Sequence, residues 1–270
     1  MIRLQNQRWL RKLVGRARSV RTLAEKALTS GQAKWRPRES AWLIRMTWRN
    51  LAFLHWPLPT EIVVPHLPSD LEVDTFQENA WISISPLHMS GVRPRFLPAL
   101  PPYRSFHEVN LRTYVRIENE PGVWFFSLDA SSRLAVQAAR LSFSLPYFPA
   151  RISMERDGDE FRFSSRRLRP RAPSACLSVR YRPVGEVYRT KKETLEYWLT
   201  ERYCMYSADE RGRVWRGKIH HQPWPLQPAE AVVEENSLAA PLGINLAPAA
   251  SLTHFARSLS VVAWAPERVA

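Results

Sequence analysis

The segment from residue 106 to residue 117 constrains the fold of this chain more than any other feature. It reads Phe-His-Glu-Val-Asn-Leu-Arg-Thr-Tyr-Val-Arg-Ile, and successive side chains of a β-strand point to opposite faces. One face of such a strand is almost entirely apolar and consists of Val109, Leu111, Thr113, Val115 and Ile117. The other face carries three polar groups between two aromatic rings, namely Phe106, Glu108, Asn110, Arg112 and Tyr114. This pattern favours a strand that lines a pocket or a barrel interior, and the alternative is an exposed polar face with aromatic cross-strand partners.

The sequence that follows predicts a hairpin and then a helix. Asn119-Glu120-Pro121-Gly122 is a turn sequence, because glycine accepts the positive φ that tight turns require. Residues 123–129 are rich in strand-forming side chains, so we expect them to pair with the preceding strand. Ser131 or Ser132 can cap a helix over residues 134–140, whose apolar residues recur at helical spacing.

Seven segments spread over roughly residues 40–268 carry a resemblance to a known family. They are His55-Trp56-Pro57, Leu71 to Phe76, Phe106 to Val115, Gly122 to Ala130, Leu145-Pro146-Tyr147, Thr200 to Cys204, and Ile219 to Leu226. In this order they resemble the DUF2071 (YqjF-like) proteins, an uncharacterised conserved family within the acetoacetate decarboxylase-like superfamily.

The resemblance implies an α+β, mainly β fold. Its expected architecture is an acetoacetate decarboxylase-like closed antiparallel β-barrel or cone, with peripheral helices outside and a ligand cavity inside. Composition agrees, because 270 residues with eleven tryptophans and eleven phenylalanines can form one large apolar core. Asp157-Gly158 also predicts a hairpin turn between strands at 150–156 and 159–165. We therefore expect a basic amphipathic helix within residues 1–38 and a β-barrel domain over residues 39–270.

The resemblance also implies where the chemistry of the superfamily lies. Acetoacetate decarboxylases form a Schiff base through a lysine in a segment shaped Arg-Glu-x-x-x-x-Pro-Lys-Lys, which corresponds here to residues 140–148. The arginine and the proline match, the glutamate is replaced by leucine, and the lysine pair has become Tyr147-Phe148. Glu108 corresponds to one pocket glutamate of the superfamily, and Ser83 falls near the other, where a hydroxyl cannot replace a carboxylate.

The distribution of lysines argues against Schiff-base chemistry. The chain contains six lysines and none between residues 35 and 190; they are Lys12, Lys26, Lys34, Lys191, Lys192 and Lys218. Lys218 is the one set in a strand-like run near aromatic residues, and we expect it to be a solvated charge. The sequence therefore predicts that a small acidic or carbonyl compound is bound or converted without a Schiff-base lysine. A non-catalytic small-ligand-binding or stress-response protein is the alternative.

Two residues are candidates for catalysis. Glu108 and Tyr147 supply a carboxylate and a phenol, which can act as an acid/base pair. Arg112 can hold an anionic substrate bidentately, and the candidate ligand-binding residues are Asn110, Arg112, Phe106, Tyr114, Arg140 and His221. Because Glu108 and Arg112 are about 13 Å apart along the strand, we expect each to pair with a group on a neighbouring strand. Structural neutralisation of both charges is the alternative.

The positive charge of the chain is concentrated in residues 1–38. This segment holds eleven Lys and Arg against one acidic residue, which gives +10 of the total net charge of +14. Its apolar residues recur at spacings of three and four, as in an amphipathic helix; they are Leu10, Leu13, Ala17, Val20, Ala24 and Ala27. Such a helix can lie on an anionic membrane surface, act as a transit peptide, or pack its apolar stripe against the barrel.

Other kinds of chemistry find little support in the sequence. Two cysteines are too few for a zinc site or a disulfide framework, and nine glycines form no phosphate loop. We therefore expect no metal and no cofactor. No nucleic-acid-binding motif accompanies the charge. The arginine cluster at Arg162, Arg166, Arg167, Arg169 and Arg171 is expected to be the solvated end of a hairpin, and anion binding is the alternative. No apolar stretch of eighteen residues is present, so we expect a cytoplasmic protein, with peripheral membrane attachment as the alternative.

Overall fold

The computed structural model describes residues 42–99, 104–168 and 174–270. The basic helix expected within residues 1–38 lies outside these ranges, as do Arg169 and Arg171. The described helices are α1 (Thr60–Val63), α2 (Arg133–Phe143) and α3 (Leu195–Thr200), with short 3₁₀ turns at Val64–His66 and Ala240–Leu242. The described strands are β1 (Ile44–Leu58), β2 (Glu72–Val73), β3 (Ala80–Pro94), β4 (Ser105–Ile117), β5 (Glu120–Ala130), β6 (Tyr147–Asp157), β7 (Glu160–Arg167), β8 (Cys176–Pro183), β9 (Cys204–Ala208), β10 (Val214–His221), β11 (Gln227–Asn236), β12 (Leu252–Ala263) and β13 (Glu267–Arg268).

The fold is mainly β, and its strand pairings close on themselves. Within the described residues β5 pairs with β4, β4 with β3, β3 with β1 and β1 with β12. From β12 the pairing continues to β10, then to β9, and β9 returns to β5. This circuit is compatible with the closed β-structure that the sequence predicts.

Two pairings differ from the expected antiparallel arrangement. β5 runs parallel to β6 and also parallel to β9. The β5–β6 pair is parallel because α2 lies between the two strands in sequence and returns the chain to the same end of the sheet. Ser132 caps α2, since its side-chain oxygen accepts a hydrogen bond from the Ala135 amide at 3.2 Å. The predicted hairpins, β4–β5 and β6–β7, are both present. The turn predicted at residues 119–122 lies instead at 118–119, where Glu118 adopts the positive φ, and Gly122 pairs with Val115 inside β5.

The two faces of the central strands belong to different cores. Leu51 and Phe53 of β1 lie in one core, together with Phe106 of β4 and Tyr147 of β6. The residues between them point the other way, into a core that contains Phe161, Phe163, Val179 and Tyr181 from β7 and β8, with Ala52, Leu54, Val109 and Leu111 from the central strands. The alternation predicted for residues 106–117 therefore separates two packed interiors rather than a core from solvent.

The arginine-rich end of β7 is only partly solvated. Arg166 is exposed, with a side-chain exposure of 72%, as the sequence predicts. Arg167 is buried instead, and its guanidinium pairs with the buried carboxylate of Asp129 at 2.9 Å. The prediction of a solvated charge was wrong for Arg167, because β7 alternates and turns this residue toward β5.

Candidate functional site

Glu108 and Tyr147 meet inside the core that contains Phe106. The Tyr147 hydroxyl donates a hydrogen bond of 2.8 Å to Oε2 of Glu108, and both residues are buried. Glu108 comes from β4, opposite Leu87 of β3 and Ala130 of β5. Tyr147 is the first residue of β6, opposite Leu128 of β5. The two candidate catalytic residues are therefore brought together by the β4–β5–β6 pairing.

Burial raises the pKa of the Glu108 carboxyl from its ordinary value of 4.5 to about 7. Hydrogen bonds from Tyr147 and Asn110 stabilise the charged form and oppose this rise, and the negative charge of Asp129 adds to it. The pKa of Tyr147 is raised well above its ordinary value, first by burial and then by the neighbouring Glu108. At neutral pH Glu108 is thus present in both protonation states, while Tyr147 keeps its proton.

A row of polar side chains crosses three strands beside Glu108. Asn110 lies opposite Ser85, and Arg112 lies opposite Ser83, which in turn lies opposite His55 of β1. Directly opposed side chains on one face of an antiparallel pair are about 5 Å apart at Cβ. We call this set the polar interior face; its members are Glu108, Asn110, Arg112, Ser83, Ser85 and His55.

Several atoms of the polar interior face have no protein partner. Within the described residues, Oγ of Ser83, Oγ of Ser85, Oδ1 of Asn110 and Nε of Arg112 are buried without a hydrogen bond. Buried polar groups in native proteins are nearly always hydrogen-bonded, because an unsatisfied group costs about 1–3 kcal/mol. Four such atoms from adjacent positions mark this face as a candidate binding site.

Arg112 forms no ion pair with any of the described residues. Its guanidinium lies 5.1 Å from the ring centre of Phe53 and 5.9 Å from that of Tyr114. The positive charge therefore packs on two aromatic rings rather than on a carboxylate. Across the strands, Arg112 lies opposite Ser83, whose side chain is neutral, and not opposite a carboxylate.

The histidines around Arg112 are neutral. Burial holds the pKa of His55 well below its ordinary value, with further lowering by His254 and Arg112. Burial also lowers the pKa of His221 to about 4, again with a contribution from Arg112. His55 Nδ1 lies 3.4 Å from the hydroxyl of the fully buried Tyr114. Arg112 is thus the cation at this end of the polar interior face.

His221 is held by an aromatic and carboxylate network from two of the family-like segments. Its ring stacks on Tyr203 with centroids 4.6 Å apart, and its Nδ1 lies 2.8 Å from the carbonyl oxygen of Gln222. Glu201 accepts hydrogen bonds from the Tyr203 hydroxyl and from the backbone N–H of Trp224. His221 is buried and its neighbour His220 is half-exposed, because adjacent residues of a strand point to opposite faces.

A buried arginine, Arg202, also packs against the ring of Tyr114. Arg202 pairs with Asp74 at 2.5 Å, and its guanidinium lies 5.2 Å from the centre of the Tyr114 ring. The Arg202 side chain is buried and that of Asp74 is mostly buried, with 13% of it exposed. Arg202 is therefore neutralised within the protein, whereas Arg112 is not.

Two predicted ligand-binding residues occupy supporting positions. Phe106 is part of the apolar core around Glu108. Arg140 lies on α2, donates a hydrogen bond of 2.7 Å to the carbonyl oxygen of Tyr147, and stacks on Phe148. This contact assigns Arg140 a role in positioning the backbone of Tyr147.

Lys218 lies outside the polar interior face. Its Nζ is 3.1 Å from Glu120 and 3.9 Å from Glu267, and its side chain is only 14% exposed. The expectation of a solvated charge was therefore wrong, because β10 places this lysine in a half-buried ion cluster. Lys191 and Lys192 are exposed.

Sequence reasoning missed His55 and His254 as neighbours of the site. The rings of His55 and His254 are 6.0 Å apart, and both residues are buried. The available signal was the single polar side chain in the apolar run Leu51-Ala52-Phe53-Leu54-His55-Trp56.

Among the described residues, no group of three or more His, Cys, Asp or Glu side chains is placed to hold a metal ion. None of the described helices has the length and apolar character needed to cross a membrane.

Solved structures with the same fold belong to the acetoacetate decarboxylase-like group. The enduracididine biosynthesis enzyme MppR complexed with pyruvate matches with a TM-score of 0.60 at 11% identity, over 90% of this chain and 94% of that one. Acetoacetate decarboxylase from Legionella pneumophila matches with a TM-score of 0.56 at 13% identity, over 91% and 94% of the two chains. At such low identity these likenesses establish the fold.

Sequence comparison is more specific. The uncharacterized protein YqjF of Bacillus subtilis (strain 168) is 41% identical over 226 residues, which is 84% of this chain and 92% of that protein. The family DUF2071, described as an uncharacterized conserved protein, matches residues 45–260. These residues include every strand of the polar interior face, and the chain belongs to the DUF2071 family.

Proposed function

We propose that this protein binds a small oxo acid at the polar interior face and exchanges a proton on the carbon beside its carbonyl group. One observation carries the proposal: a buried carboxyl group, Glu108, and a half-buried guanidinium, Arg112, share one strand face, and neither has an ion-pair partner. Among the described residues Glu108 has no cationic partner and Arg112 has no anionic partner. Charges with a purely structural role would each have an ion-pair partner on a neighbouring strand, because uncompensated buried charge is costly.

Arg112 provides the anion-binding part of the proposed site. A guanidinium binds a carboxylate through two parallel N–H donors, and this geometry is stronger where water is excluded. Ser83 and Ser85 add hydroxyl donors, and Oδ1 of Asn110 adds an acceptor, all from adjacent positions. Together these groups can hydrogen-bond a carboxylate and a carbonyl or hydroxyl oxygen of one small molecule.

Glu108 provides the proton-transfer part. As a carboxylate it accepts the proton from the carbon beside the carbonyl, and the C–H electron pair forms the C=C bond of an enolate. The carbonyl oxygen takes the negative charge, which the serine hydroxyls can stabilise by hydrogen bonding. Return of a proton from Glu108 to carbon restores the oxo acid, so the exchange needs no other reactant. A base with a pKa of about 7 suits this task at neutral pH.

The choice of test compounds comes from the structural neighbours. One of them is described as complexed with pyruvate and another as an acetoacetate decarboxylase. The proposed step uses no Schiff-base lysine, in agreement with the absence of lysine between residues 35 and 190.

The experiment is hydrogen–deuterium exchange at carbon. The protein is incubated with pyruvate or acetoacetate in D₂O, and loss of the methyl and methylene proton signals is followed by NMR. We expect exchange above the buffer rate, abolished in Glu108→Gln. Arg112→Gln should raise KM by about tenfold or more, whereas Arg116→Gln, an exposed arginine of the same strand, should not.

Two results would contradict the proposed function. Binding of the oxo acid by calorimetry without exchange would leave a non-catalytic ligand-binding protein. Neither binding nor exchange, with the native fold retained, would remove oxo acids as the ligand class.

A further inference from the structure

The start of β1 and the end of β3 carry positive charge only. Residues 40–60 and 79–107 contain no Asp or Glu at all. The same two stretches contain five arginines: Arg45, Arg49, Arg93, Arg95 and Arg104. None of the five forms an ion pair within the part of the chain that the structure describes.

Two of these arginines face each other directly. Arg45 of β1 and Arg93 of β3 are cross-strand partners, and like charges in this position repel. A comparable arginine pair occurs on another sheet, where Arg162 lies opposite Arg180. That second pair is compensated by carboxylates, with Glu160 near both arginines and Glu234 at 2.8 Å from Arg180. Among the described residues, no carboxylate pairs with Arg45 or Arg93 in this way.

Exposed apolar side chains accompany this charge. The guanidinium groups of Arg93 and Arg95 each lie 5.8 Å from the centre of the Trp42 ring. Arg95 also lies 4.8 Å from the ring of Phe96. Phe96 is 86% exposed and Leu97 is 52% exposed. Arginines and apolar side chains thus alternate over one continuous patch.

The backbone holds Phe96 in an unfavourable conformation. Its φ is +69°, in the left-handed region that bulky residues rarely adopt. Such strain persists only where the surrounding structure imposes it, and it clusters at sites of function. Here the residue in this conformation is an exposed aromatic one.

We infer that this patch, formed by Trp42, Arg45, Arg93, Arg95, Phe96 and Leu97, docks on an anionic lipid surface. Arginines are attracted to the negative potential of anionic headgroups, and aromatic rings favour the boundary between headgroups and acyl chains. Leu97 distinguishes a bilayer from a nucleic acid, because an aliphatic side chain can insert among acyl chains but cannot stack on bases. The inference is independent of the chemistry at the polar interior face.

The experiment measures binding of the full-length protein to vesicles of phosphatidylcholine with and without phosphatidylserine, by co-sedimentation at low and physiological salt. Removal of one arginine near an anionic surface should weaken binding about fivefold. Arg45→Gln/Arg93→Gln should therefore weaken binding to the anionic vesicles about 25-fold. Arg162→Gln/Arg180→Gln makes the same charge change on the other sheet and should have much less effect. Residues 1–38 are present in every variant, so their contribution cancels in the comparison.

Phe96→Gly separates the role of the ring from stability. Glycine accepts a positive φ without strain, so this variant should unfold no earlier than wild type while its vesicle binding falls severalfold. Leu141→Ser, at an 88% exposed apolar position on α2, should bind like wild type. Equal binding by the two arginine double variants would overturn the inference. An unchanged affinity of Phe96→Gly for vesicles would also overturn it. So would an Arg45→Gln/Arg93→Gln variant that loses affinity for DNA but keeps its affinity for anionic vesicles.

Discussion

Tyr147 donates its hydroxyl hydrogen bond to Glu108 at 2.8 Å, although 39 residues separate the two in sequence. The contact joins the first residue of β6 to the middle of β4, across β5. Because the bond stabilises the carboxylate, it offsets part of the burial that raises the pKa of Glu108. The pKa of this buried carboxyl group therefore stays at about 7, so that the group is only partly protonated at neutral pH.

Glu108→Gln should stabilise the protein at alkaline pH and have little effect at acid pH. The pKa of Glu108 is about 7 when folded and 4.5 in its ordinary state. Such a raised pKa makes the wild type lose stability as pH rises from about 4.5 to 7, by about 3 kcal/mol in total. Urea unfolding of both proteins from about pH 4.5 to 8.5 measures the difference. A stability difference that does not change with pH would contradict the assigned pKa.

Tyr147→Phe should move the pKa of Glu108 above about 7. The lost hydrogen bond stabilised the charged form, so its removal favours the protonated form by on the order of one pH unit. Carboxyl ¹³C NMR titration measures the pKa directly. Tyr206→Phe is the matched control, because the Tyr206 hydroxyl bonds to the backbone of Glu120 in a different core. An equal pKa in all three proteins would show that the Tyr147 contact has no electrostatic role.

Borohydride reduction in the presence of acetoacetate should add no mass to this protein. The chain has no lysine between residues 35 and 190, and the Nζ of Lys218 lies in an ion pair 3.1 Å from Glu120. An amine held in an ion pair is a poor nucleophile. Intact-mass spectrometry before and after reduction provides the measurement. An adduct that disappears in Lys218→Ala would show that the ion cluster around β10 opens to substrate.

Arg167→Leu should destabilise the protein by about 3–5 kcal/mol, because it leaves the buried carboxylate of Asp129 without a partner. Arg166→Leu removes the neighbouring, 72% exposed arginine and should change the free energy of unfolding by less than about 1 kcal/mol. Chemical denaturation of both variants makes the comparison. Addition of Asp129→Asn to Arg167→Leu should recover part of the loss, and equal effects of the two single variants would refute the buried pair.

Local sequence determined the elements that carry the site. Alternation over residues 106–117 fixed which side chains of β4 share a face, because the strand period is two. Ser132 determined the start of α2 through its capping oxygen. The sequence also predicted a hairpin after β4, but its turn lies at residues 118–119 rather than 119–122, because Gly122 pairs with Val115 inside β5. The family-like segments further predicted that Glu108 and Tyr147 belong to one site, and the two residues do meet.

The tertiary structure alone decided which charged side chains form ion pairs and which do not. Arg166 and Arg167 are adjacent in sequence, yet β7 turns one to solvent and the other into a buried pair with Asp129. Arg112 lies opposite the hydroxyl of Ser83 rather than a carboxylate, because strand register and not composition selects cross-strand neighbours. Partners of this kind come from distant parts of the chain, and only the closed strand pairing brings them within bonding distance.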